Sequence, residues 1–283
     1  MDLIVALISP PVRLNSLLTN FQTNTISLMA DGLIFLGAIV YYYCVRILRK
    51  KGRKWSIWRS TSYYLGLSVI FIATGSGFAS YDDSVFFMHV IQHLLLMNLV
   101  PILIALSAPI TLLLQASQRK VQTKTLKVIN SKVFGIITFP LLAWLGNWLT
   151  MYTYFLTPIY TLSLKHPLFH DFTHLQFLLV GYNYWVQILG LDPLRHRLSI
   201  GSRLIFLLSG IPFGSFLGVA IMQMKTSIAP FAHSLSDTHT GGALLWGIGE
   251  IFTFGALTVI FFQWAKTDER EAKRIDREMY PTT

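Results

Sequence analysis

Seven apolar runs of bilayer length, joined by short connectors that carry nearly all of the cations, constrain this chain more than any other feature of it. A lipid core offers no water to an unpaired backbone group, so a chain crosses it only as helices or as a closed barrel. Runs near 20 apolar residues match the helical solution. They fall at about 26–48, 60–80, 84–114, 134–156, 167–189, 202–224 and 240–264. Composition agrees: 53% of the 283 residues are hydrophobic and 13% charged, against roughly 25% charged in soluble domains. The expected architecture is an all-α integral membrane protein, a bundle of seven transmembrane helices over 26–265. A charged cytoplasmic tail follows at 266–283, and an outer, interfacial segment precedes at 1–25, where no basic n-region or small-residue cleavage site marks a signal peptide. The third run is long for one crossing and contains Pro101 and Pro109, which predicts a kink or tilt there.

The cations give the chain a direction. Twenty of the 23 Lys and Arg lie in the first, third and fifth connectors and the C-terminal tail; the others are Arg13, Lys165 and Lys225. Cytoplasmic loops collect Lys and Arg, so the N-terminus is expected outside and the C-terminus in the cytoplasm. A net charge of +10 distributed in this way reads as topology and excludes a nucleic-acid surface. Cys44 is the only cysteine, so one chain forms neither an internal disulfide nor a thiolate cluster, and soft metal ligands must come from methionine.

Sorted by depth, the histidines are lopsided. His89, His93, His166, His170, His174, His233 and His239 fall in the outer half or in outer connectors, and only His196 is cytoplasmic. Residues four apart on a helix share a face, so His89 and His93 point together. Met97 continues that face one turn deeper, rotated by about 80° from His89. In "KHPLFHDFTHLQFLL" His166, His170 and His174 follow at successive fours; Pro167 suits a first helical position, which puts His166 at the boundary. Paired imidazoles suit copper, zinc, iron or nickel, in one four-ligand site or two adjacent ones. Imidazoles also hydrogen-bond between membrane helices, but five at this spacing on one side favour a cation or cofactor.

Met29 and Asp31 lie at similar outer depth in the first run, as further ligand candidates. Gln92, Asp171, Asp237 and Glu250 are candidates for proton exchange or for orienting ligands, Glu250 being near mid-membrane, where a carboxylate is costly. His233 and His239 read as loop residues that gate access or face solvent. The glycines of "GALLWGIGEIFTF" and its flanks read as close-packing positions. No phosphate loop, nucleophile elbow or zinc-protease signature appears, so hydrolytic and nucleotide chemistry find no support and the chain does not read as an enzyme.

The blocks "MHVIQHLLLMNLVPILIALSAPITLLL", "TPIYTLSLKHPLFHDFTHLQFLLVGYNYW", "LDPLRHR" and "DTHTGGALLWGIGE", in that order, resemble the membrane-integral CtaG group of caa3-type cytochrome c oxidase assembly proteins. The resemblance runs from the third span through the seventh. It implies a multi-pass protein of the bacterial plasma membrane that helps metallate the oxidase with copper. By position it carries His89, His93, His166, His170 and His174, with Gln92, Asp237 and Glu250 in matching blocks. Expected partners are the oxidase subunits, membrane lipid and an extracytoplasmic copper donor, with homo-oligomerisation left open. A haem-binding redox protein and a metal or proton transporter are the alternative readings.

Overall fold

A computed structural model describes residues 21, 23, 25–81 and 84–279. The interfacial segment expected over 1–25 lies almost wholly outside them, as does Arg13. The described residues are helical, with no strand among them. In chain order the helices are α1 Thr25–Lys50, α2 Ile57–Gly75, α3 Phe78–Tyr81 and α4 Phe86–Leu94. A π-helical turn, Leu95–Leu99, then leads into α5 Val100–Ser107 and α6 Pro109–Ala116. Next come α7 Arg119–Ile129, α8 Lys132–Ile137, α9 Pro140–Leu156, α10 Ile159–Lys165 and α11 Pro167–Leu189. The series ends with α12 Ile200–Leu208, α13 Ile211–Met222 and α14 Leu235–Met279.

Among the described residues, four stretches are long and apolar enough to cross a membrane: Ile26–Lys50, Phe86–Ala116, Ile200–Met222 and Leu235–Arg274. The apolar runs expected at 60–80, 134–156 and 167–189 also form helices, namely α2, α8 with α9, and α11. Proline opens α6, α9 and α11 at a first-turn position, where its missing N–H has no helical acceptor to serve. The charged tail continues α14 as an exposed helix to Met279, with Glu269–Lys273 and Arg274–Glu278 ion pairs one turn apart.

Two breaks shape the third run. Pro101 has no N–H to offer the carbonyl of Met97 four residues back. The ladder widens just upstream, Val100 N–H reaching Leu95 O, and the Met97 carbonyl accepts from Trp185 Nε1 at 3.2 Å instead. The second break is at Ala108, in the left-handed region at φ 50°. There the restarted helix α6 is capped by Asp192, which accepts from Thr111 N at 2.8 Å, Thr111 Oγ1 at 2.7 Å and Ile110 N at 3.3 Å. Burial pushes the Asp192 carboxyl up, and these donors act against that shift. The prolines thus mark a broken helix where a kink was expected. The sixth run is likewise split, at Ser209 and Gly210, between α12 and α13.

The basic connectors meet at one end of the bundle. Lys51 Nζ donates to Ala116 O at 2.7 Å, Arg195 to the carbonyls of Asn130 and Ser131 at 3.2 Å each, and Arg197 to Gly190 O at 2.7 Å. Arg203 and Gln263 reach the Leu189 carbonyl. Cations therefore satisfy the free carbonyls at the C-terminus of α11, where the helix dipole also favours them. Of the glycines expected to allow close packing, Gly241 lies against Phe86 and Gly242 against Gly218, whereas Gly247, Gly249 and Gly255 face open space.

Candidate metal centre

The segment holding His89 and His93 is fixed against α11 by one close approach. A methyl group on Gly181 would sit 2.2 Å from the Met97 carbonyl oxygen, so only glycine lets α11 come this near the π turn. The start of α4 is fixed as well: Asp237, at the head of α14, accepts from Phe86 N at 2.7 Å and Phe87 N at 3.0 Å. A carboxylate there satisfies the open N–H groups and the positive helix end.

Between these anchors His89, His93 and His170 converge, all buried. One ring nitrogen from each lies within 4.8 Å of the others. The His89 and His93 rings are 4.1 Å apart, and the His170 ring stacks on His89 at 5.1 Å and 9°. A tetrahedral ion with bonds of about 2.0 Å sets its donors about 3.3 Å apart, so the rings would have to draw closer to share one ion. Both ring nitrogens of His93 are buried without a hydrogen-bond partner among the described residues, and each unmet polar group costs about 1–3 kcal/mol. An ion at the centre would relieve that cost, so the residues present fit a metal. His174 adjoins the set, its ring 5.3 Å from His93 and 4.4 Å from His170, with Nε2 buried and unpartnered.

The other candidates lie elsewhere. His166 is exposed at the boundary of α11, as Pro167 suggested, and stands apart from the three converging imidazoles. Met29 is 67% exposed on α1, a helix that packs mainly on α2 and α6. Asp31 lies beside Gly75 at the end of α2. Met97 is buried, and it lines a separate cavity of about 50 Å³ with Asn147, Trp148 and Glu250. Glu250 accepts from Ser215 Oγ at 3.1 Å in that space. Gln92 donates to the Ala73 carbonyl at 2.8 Å, tying α4 to α2. Asp171 is half-buried on α11, and Asp237 is the α4 cap.

Several residues at the site were not candidates in the sequence. Tyr154 meets His89 Nε2 at 3.1 Å through its hydroxyl and Ser163 Oγ at 2.9 Å. Tyr160 packs edge-on against His89, and its hydroxyl meets His233 Nε2 at 2.6 Å. His233, expected to be a gating or exposed loop residue, is instead buried to 1% exposure. Burial pushes it down to about 4, so it is neutral beside Asp237, 3.8 Å away. His239, also read as a loop residue, is instead in the first turns of α14, and its ring meets the Met224 carbonyl at 2.9 Å. The spacing of His233 and Asp237, four apart, was a visible signal; Tyr154 and Ser163 carried none.

The family model described as cytochrome c oxidase caa3 assembly factor matches residues 39–267. Uncharacterized proteins of Mycobacterium bovis and Mycobacterium tuberculosis are each 28% identical over 260 residues, covering 85% of this chain and 39% of theirs. One of Mycobacterium leprae is 29% identical over 268 residues, covering 89% of this chain and 40% of its own. The chain thus spans about two-fifths of the length of the curated relatives it matches. No solved structure matches it. With the match running through every helix that builds the imidazole site, the chain belongs to the caa3 cytochrome c oxidase assembly factor family.

Proposed function

We propose that this chain is a copper-holding assembly factor of the bacterial plasma membrane, which keeps the ion on His89, His93 and His170 and passes it to cytochrome c oxidase. The observation that carries the reading is the convergence of three buried imidazoles, one of them with both nitrogens unpartnered. Copper is cargo here. An imidazole set on a chain with one distant cysteine suits copper better than magnesium or calcium, which take oxygen ligands. The family supports the oxidase as the client. Ring-against-ring packing of the imidazoles, walled by Phe155, Phe177 and Tyr154, favours a single ion over a porphyrin.

Seven crossings with the N-terminus outside belong to the same proposal. The four stretches apolar enough to span, with α2, α9 and α11, give an odd number, as the charge distribution requires. The imidazoles sit near the starts of α4 and α11, while the basic connectors gather around the far end of α11. The ion therefore faces the extracytoplasmic side, where a donor and the oxidase can reach it.

Metal analysis of the purified protein tests the reading. The parent and Glu250→Gln, altered outside the imidazole set, retain stoichiometric copper; His93→Ala and His170→Ala lose most of it while remaining folded. Equal copper in all four, or none in the parent, would overturn the proposal.

A further inference from the structure

Hydrogen-bond direction around His89 can be worked out from the one group that has no choice. Ser163 Oγ lies 2.7 Å from the Tyr160 carbonyl, and a carbonyl only accepts, so the single hydroxyl proton of Ser163 is committed there. At 2.9 Å from Tyr154 the serine oxygen must then accept, and the Tyr154 hydroxyl donates to it. With its own proton spent, the Tyr154 oxygen is an acceptor toward His89 Nε2 at 3.1 Å. His89 is left with its proton on Nε2 and its lone pair on Nδ1, an atom that is itself buried.

We propose that Tyr154 and Ser163 are positioning residues of the imidazole site, which hold His89 as the Nε2–H tautomer and turn Nδ1 toward the metal. The inference rests on the copper reading for its purpose, and on the hydrogen-bond sequence for its content. A ligating imidazole commonly donates its second N–H to an oxygen, which fixes the ring and makes the ligating nitrogen more basic. Here that oxygen belongs to a phenol on α9, and the phenol is oriented from α10, so the α9–α10 hairpin sets the ligand geometry of α4. Tyr154 also packs against Phe155, Tyr160 and Phe177, contacts that phenylalanine would keep. The substitution Tyr154→Phe is therefore a change of hydrogen bonding more than of packing.

Nitrogen-15 NMR of histidine-labelled, copper-free protein reads the tautomer directly, with the His89 signals identified by their loss in His89→Gln. The parent is expected to show a protonated Nε2 and an unprotonated Nδ1 at His89. Tyr154→Phe moves both signals toward a mixture of tautomers, and Ser163→Ala moves them in the same direction by less. In copper titrations Tyr154→Phe weakens affinity by about 10–100-fold, with the stoichiometry at saturation unchanged. A His89 protonated on Nδ1 in the parent, or a Tyr154→Phe protein with unaltered His89 signals, would overturn the inference. The NMR arm uses no metal, so a parent that binds no copper would sink the copper reading while leaving the tautomer assignment to be decided on its own.

Discussion

At the scale of single residues, helical spacing revealed the imidazoles and missed what holds them. His89 with His93, and His170 with His174, were legible because residues four apart must share a face. Tyr154 was not, because an aromatic in "WLTMYTYFL" reads equally as an interface anchor or as packing. Depth alone left the face of Met29 open: apolar residues surround a membrane helix on every side, so the pattern does not say which face turns inward. Met29 is on the outward one. Gly181 yields a sharp prediction. Since a Cβ there would overlap the Met97 carbonyl, Gly181→Ala should lower the thermal midpoint in detergent and weaken copper retention, with a cost of at least about 1–3 kcal/mol, typical of overpacking. Gly146, with nothing within 4 Å of its added Cβ, is the control, and Gly146→Ala should melt with the parent. Equal stability of the two variants would mean that α11 does not lie this close to the π turn.

At the scale of elements, sequence located the helices better than their interruptions. Proline announces a missing N–H but not how the ladder adjusts, and here the adjustment lies upstream of Pro101, in the turn that directly follows His93. Rare π turns are often found at functional sites. The second break depends on a cap eighty residues away in sequence, which no local pattern reveals. "LDPLRHR" was recognised as a block, but its Asp192 acts on Thr111 and Ile110. Asp192→Ala should destabilise the protein by about 0.5–2 kcal/mol, the usual worth of an N-cap, while Asp192→Asn should retain part of that. Thermal unfolding in detergent measures both. An Asp192→Ala protein as stable as the parent would show that α6 restarts without help. Because the cap lies at the end of the bundle where the basic connectors meet, copper binding at the opposite end should change little.

At the scale of the whole molecule, charge distribution and tertiary contacts agree. The cations that the sequence assigned to one side of the membrane touch one another's connectors, as in Lys51 to Ala116 and Arg195 to Asn130. Topology is tested in cells on a Cys44→Ser background. A cysteine at exposed Lys225 should react with a membrane-impermeant reagent from outside, and one at exposed Lys124 only after permeabilisation. The reverse pattern would place the imidazoles on the cytoplasmic face and remove their access to an extracytoplasmic client. Sequence could order the helices, and the proposed orientation rests on its cations. Sequence could not bring α9 and α10 over the site, because that depends on which faces of uniformly apolar helices meet.

X-ray absorption spectroscopy of the copper-loaded protein counts the imidazoles on the metal. The expected shell of nearest atoms contains the imidazoles of His89, His93 and His170, with one fewer after substitution of any of the three and no change in Glu250→Gln. A shell that none of the three substitutions alters would contradict the copper reading.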